Sequence, residues 1–98
     1  LSYPKPDLVA PGVNITAPVP GGRYANVTGT SFATPFVTGS AALMMEWGIV
    51  RKNDPFLWGE KVKAYLRRGA QPLPGFEKYP NESVGWGCLC ASQSIPYM

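Results

Sequence analysis

From Ser31 onward the chain places Phe32, Ala33, Phe36, Val37, Ala41, Ala42, Leu43, Met44 and Met45 before its next charge at Glu46, and those apolar positions fall on every face of a helix. A helix with no polar face has nothing to offer water and belongs inside a larger body. Gly39, Ser40, Ala41 and Ala42 are small enough to let neighbouring backbone come close, and Gly48 is expected to stop the helix just past its last turn. Pro35 removes the N–H that the Ser31 carbonyl would receive in a regular helix, so an irregular first turn is expected. The chain has 98 residues, which makes at most one domain and is short for an enzyme that must surround a cleft. Size points to a piece.

Hydrophobic residues make up 45% of the chain, which argues for folding although it carries 11 Gly and 11 Pro. Part of the +3 net charge comes from Lys61, Lys63, Arg67 and Arg68, read as a solvated helix face in preference to an anion-binding patch. With no long basic block and no aromatic-basic alternation, nucleic acid is not an expected partner. No apolar run approaches the roughly 18 residues that span a bilayer, so no membrane partner is expected, and the first residues lack the layout of a signal peptide. Any export would be directed by something outside these residues. Cys88 and Cys90 would share one face of a strand; buried small hydrophobes are the favoured reading, with a disulfide to another segment or metal binding as alternatives. No cofactor and no metal site are expected. Histidine is absent altogether, so no Ser-His or Cys-His relay can be built from these residues alone.

The remaining segments read as short pieces. Lys5 to Gly12 is a brief strand running into a Pro-Gly turn, Val13 to Ala17 a second extended piece, Pro18 to Gly22 a loop and Arg23 to Val27 another short strand. Asp54-Pro55 has the form of a helix start, a capping carboxylate followed by proline. An amphipathic helix is expected from about Asp54 to Arg68, with Trp58, Val62, Tyr65 and Leu66 on its apolar side and Gly69 as its stop. Pro72 to Asn81 is loop, and Val84 to Ala91 a last extended segment. The N-x-[ST] patterns at Asn14, Asn26 and Asn81 arise readily by chance, and a glycan on Asn26 would crowd Ser31.

A serine hydroxyl is a poor nucleophile and needs a base for its proton and donors for the oxyanion it creates. At the start of a buried helix the free N–H groups and the positive end of the helix dipole lie beside the hydroxyl. Gly29 permits a tight approach to Thr30 and Ser31. The bland alternative is that Thr30 or Ser31 merely caps the helix, and a bare Gly-Thr-Ser would favour it.

The longer run Gly29-Thr30-Ser31-Phe32-Ala33-Thr34-Pro35-Phe36-Val37-Thr38-Gly39-Ser40-Ala41-Ala42-Leu43 resembles the serine-bearing motif of the subtilisin-like proteases, the subtilases. Lys5-Pro6-Asp7-Leu8-Val9-Ala10-Pro11-Gly12 is similar to the block that precedes it in that family, and Gly85-Trp86-Gly87 to the family's Gly-aromatic-Gly near the C-terminal end. The ordered matches cover nearly the whole chain. The resemblance implies an α/β fold, the C-terminal part of a subtilisin-like three-layer domain, with residues 1–98 as an incomplete segment of the catalytic domain. It implies Ser31 as nucleophile, the Ser31 backbone N–H as one oxyanion donor, a polypeptide substrate, and peptide-bond hydrolysis through an acyl-enzyme. In the family the aspartate, the histidine and the oxyanion asparagine come before the serine, so a fragment or chain of the same precursor, upstream of Leu1, is the expected partner. Asp7 matches a structural strand and is not the triad aspartate. Phe32 falls on the leaving-group side of the cleft, with plain packing an equal alternative.

Many subtilases carry histidine after the motif proline, where this chain has Phe36; that histidine is not the catalytic base, so the departure points to a branch. Thr34 to Gly39 together with Leu43 to Ile49 looks like the clostridial subtilases, among them those that act on spore-cortex lytic enzymes during germination, which implies a secreted or spore-associated bacterial protein. The rival readings are a pseudoprotease that keeps the fold without a full triad and a free-standing interaction domain.

Overall fold

The computed structural model describes residues 5–95. An antiparallel hairpin comes first, β1 (Ile15–Val19) and β2 (Arg23–Val27), with Ile15 opposite Val27 and Val19 opposite Arg23. Strand β1 therefore runs through Pro18 and Val19, where the residue pattern predicts a loop. In a two-stranded ribbon alternate residues turn their N–H away from the partner, so proline can occupy such a position without breaking the ladder. The Thr16 hydroxyl donates to Asn26 Oδ1 at 3.0 Å across the pair.

Helix α1 (Thr30–Met45) follows and continues directly into a wider helical turn, Glu46–Val50. The irregularity expected at Pro35 does not interrupt it: proline lies inside α1, and the Thr34 hydroxyl donates to the Thr30 carbonyl at 3.0 Å. Gly48 does not stop the helix either. It is buried, its carbonyl accepts from Asp54 N–H at 3.0 Å, and an added Cβ would lie 2.8 Å from Leu57 Cδ2 and 2.9 Å from the Asp54 carbonyl. Close packing requires glycine there.

The second long helix, α2, spans Glu60–Gly69 and not Asp54 to Arg68. Asp54-Pro55 opens only a single turn, closed by Leu57 N–H on the Asp54 carbonyl at 3.1 Å, after which Gly59 takes φ 61 and ψ −132 and redirects the chain. That turn delivers Leu57 to the core, and burying a leucine is worth roughly 2 kcal/mol, which outweighs continuing the local helix. Asp54 instead braces α2 from outside, accepting from Lys61 Nζ at 2.9 Å and from the Tyr65 hydroxyl at 3.1 Å. Gly69 is the last residue of α2, and a Cβ on it would overlap Ser94.

Val9, Cys88 and Gln71 make the remaining extended contacts. Val9 N–H donates to Gly87 O at 2.9 Å and Leu89 N–H to Val9 O at 2.8 Å, while Gln71 and Cys88 exchange bonds of 2.8 Å. The segment Val84 to Ala91, expected to be extended throughout, instead opens with a turn at Val84 to Trp86, where Gly85 has φ 58, and ends at Cys90, because Ala91–Ser94 forms a short helix, α3. Both cysteines are free and half-buried, and among the described residues no cluster of metal-ligating side chains occurs.

Met44, Leu57, Val62, Leu66 and Ile95 form the core. It is small for the chain. A folded protein of 10.6 kDa exposes about 5,500 Å², whereas this chain exposes 6845 Å². Large apolar side chains are among what is exposed: within α1 only Ser40 and Met44 are buried, Phe36 is 42% exposed and Leu43 55%. The all-round apolar helix expected to be buried is thus half-covered by this chain. Among the described residues no helix is long and apolar enough to cross a membrane.

Candidate active site

The first block of the sequence and the serine run meet at their glycines. Gly29 N–H donates to the Gly12 carbonyl at 2.7 Å, and a Cβ on Gly12 would stand 2.9 Å from the Gly29 carbonyl and 3.3 Å from Ala33 Cβ. Gly29 itself has φ 153 and ψ 159, open to glycine and costly for other residues. Sequence reasoning misses both contacts, although Pro11-Gly12 and Gly29 are visible there as turn residues.

Gly29 is the residue that precedes the helix, and no side chain caps it. Thr30 and Ser31 lie inside the first turn, so neither is the capping residue that a bare Gly-Thr-Ser would suggest. Both are exposed, and no hydrogen bond holds the Ser31 hydroxyl among the described residues. Phe32 N–H donates to Gly29 O at 3.1 Å, while the Ser31 N–H belongs to the first-turn donors that a helix leaves unpaired. A hydroxyl, a free N–H and the positive helix end therefore share one exposed point. The hydroxyl can attack and the N–H can hold an oxyanion, but the proton needs a base that this histidine-free chain lacks.

Beside that point β1 and α1 border an open groove of about 360 Å³ lined by Ile15, Thr16, Ala17, Pro18, Phe32, Pro35 and Phe36. Phe32 thus does two things at once, packing half-buried against the hairpin and flanking the serine. Asp7 is elsewhere. Its carboxylate accepts from Lys5 Nζ at 3.0 Å and lies 3.6 Å from Arg67 Nη1, and its carbonyl accepts from Trp86 N–H at 2.8 Å. The Lys5 hydrogen bond, helped by the charges of Lys5, Lys63 and Arg67, holds its pKa below the ordinary value. Asp7 braces this corner, tying Lys5 and Arg67 to the backbone of Trp86. Gly85 and Gly87 have φ 58 and 117, and side chains on them would overlap the Pro6 and Asp7 carbonyls and the Gln71 carbonyl, which gives the Gly-aromatic-Gly block its physical reason.

A family model described as the subtilase family matches residues 2–87. This chain belongs to the subtilase family. Subtilisin BL of Lederbergia lenta is 38% identical over 73 residues, 74% of this chain and 25% of that protein. An intracellular serine protease of Paenibacillus polymyxa is 40% identical over 70 residues, 67% of this chain and 22% of that protein. Among solved structures, the CspB protease of Clostridium perfringens superposes with a TM-score of 0.87 at 48% identity over 93% of this chain and 20% of that one. That similarity supports the clostridial branch expected from Thr34 to Gly39 and Leu43 to Ile49. This subtilase segment spans a quarter or less of each of these relatives.

Proposed function

We propose that this chain supplies the nucleophile of a serine endopeptidase and is the C-terminal segment of its catalytic domain. The supporting observation is the placement of Ser31, exposed within the first turn of α1, with its hydroxyl free of any capping bond among the described residues. Ser31 Oγ attacks the scissile carbonyl, and its backbone N–H donates to the oxyanion. A histidine from another part of the protein takes the Oγ proton and passes it to the leaving amine, and water then releases the acyl group. An aspartate that orients the histidine and an asparagine that completes the oxyanion site belong to that same part. The substrate is a polypeptide, as the protease relatives support. The uncovered side of α1 is the surface onto which that part of the protein folds.

The test is fluorophosphonate labelling of the complete protein, with the modified residue identified by mass spectrometry. Modification of Ser31, abolished by Ser31→Ala, is the expected result. A folded protein that leaves Ser31 unmodified would instead be a pseudoprotease.

A further inference from the structure

Away from Ser31, a cavity of about 510 Å³ lies between α2 and the Gly85-Trp86-Gly87 turn, and a second of about 310 Å³ adjoins it by sharing Arg67 and Trp86. Together they make a trough. Lys5, Lys63, Arg67 and Arg68 line it against the carboxylates of Asp7 and Glu60, so positive charge is in excess. Trp86 is 42% exposed on its wall and firmly mounted, its N–H on the Asp7 carbonyl at 2.8 Å and a glycine on either side that no side chain could replace. Asp7 is already taken by Lys5 and Arg67. Glu60, by contrast, is 82% exposed and reaches Lys63 only at 3.5 Å, an exposed pair of little strength. An incoming carboxylate can replace it at small cost.

We propose that this trough is an exosite for an acidic segment of a polypeptide partner, whose carboxylates meet Lys63 and Arg67 while its aliphatic portions lie on Trp86. Arg67 and Trp86 face concavities on both sides, of about 510 and 310 Å³, more room than a single small anion fills and enough for successive residues of a linear chain. A single aromatic without basic-aromatic alternation does not suit a run of stacked bases. The proposal takes from the protease reading only that the partner is a polypeptide, and it needs no reactivity at Ser31.

Fluorescein-labelled hexaglutamate, followed by anisotropy on the complete protein carrying Ser31→Ala, tests it without cleavage. Binding that weakens with salt is expected. Lys63→Gln should weaken it about fivefold and Glu60→Gln tighten it by a similar factor, as expected for one surface charge. Both residues are exposed on the outer side of α2, so these variants keep the fold. Trp86→Ala should weaken binding further. The exosite is overturned if hexaglutamate binds no better than a labelled Gly-Ser hexapeptide, if Lys63→Gln and Glu60→Gln leave its affinity unchanged, or if a labelled oligothymidylate binds more tightly. Fluorophosphonate labelling of the wild-type protein reads the protease proposal separately, so failure of one leaves the other standing.

Discussion

Helices α1 and α2 are built on opposite plans. Helix α1 carries no charged residue and buries only Ser40 and Met44. Helix α2 buries Val62, Leu66 and Gly69 and dresses its outer side with ion pairs, Lys61 to Asp54 at 2.7 Å and Lys63 to Glu60 at 3.5 Å. The first leaves apolar surface without a partner in this chain, while the second is covered by Met44, Leu57 and Ile95. An amphipathic helix needs one neighbouring surface; an apolar one needs a body on every side. The comparison teaches that the chain's own core is organised around α2, and that this core leaves most of α1, which bears Ser31, uncovered.

The largest effect that sharpens this contrast is functional. Ser31→Ala in the complete protein should abolish labelling and lower kcat by on the order of 10⁶-fold, the loss known for the nucleophile of subtilisin itself. Activity that survives in purified variant would end the assignment of α1 as the catalytic helix.

Next come the packing variants, read by chemical denaturation of the complete protein. Leu43→Ala should cost about 2–4 kcal/mol, as for a core position, although Leu43 is 55% exposed in this chain. Lys63→Ala on α2 should stay within about 0.5 kcal/mol. Equal, small effects at the two sites would mean that nothing covers α1. Gly39 provides a finer version, because a Cβ there meets nothing within 4 Å. For an exposed helix, Gly39→Ala would stabilise by about 1 kcal/mol; in the complete protein it should instead destabilise, since the covering elements approach close to the small-residue face.

The smallest effect separates the helices by pH. Lys61 hydrogen bonding, assisted by the Tyr65 hydroxyl, holds the Asp54 pKa below its ordinary value of 3.8. A lowered folded-state pKa means stabilisation that is present above the unfolded value and lost as pH falls through the folded one. The Tm should therefore drop on acidification below about pH 4, and Asp54→Asn should flatten that drop. An unchanged acid limb would show that the brace on α2 contributes nothing.

How much was legible depended on how local the cause was. The hairpin strand Arg23–Val27, the helix beginning at the Gly-Thr-Ser run and the end of α2 at Gly69 could be read from neighbouring residues, and the family followed from the motifs at Lys5 to Gly12, Gly29 to Leu43 and Gly85 to Gly87, within the residues 2–87 that the family model matches. Asp54-Pro55 misled because capping chemistry is equally satisfied by one turn, and only the core position of Leu57 decided that α2 starts at Glu60. Gly48 misled in the same way, since a glycine required by a close neighbour looks in sequence like a glycine that ends a helix.

What the sequence by itself determined was the apolar run that makes α1, the serine at its start and the absence of any histidine to serve it, because composition and short-range pattern are properties of the chain alone. Only the tertiary structure decided that Gly12 seats Gly29, that Asp7 is a brace among cations, and that Trp86 stands rigidly beside Arg67. Those relations join residues far apart in the chain, and no local preference encodes which distant backbone will press against a glycine.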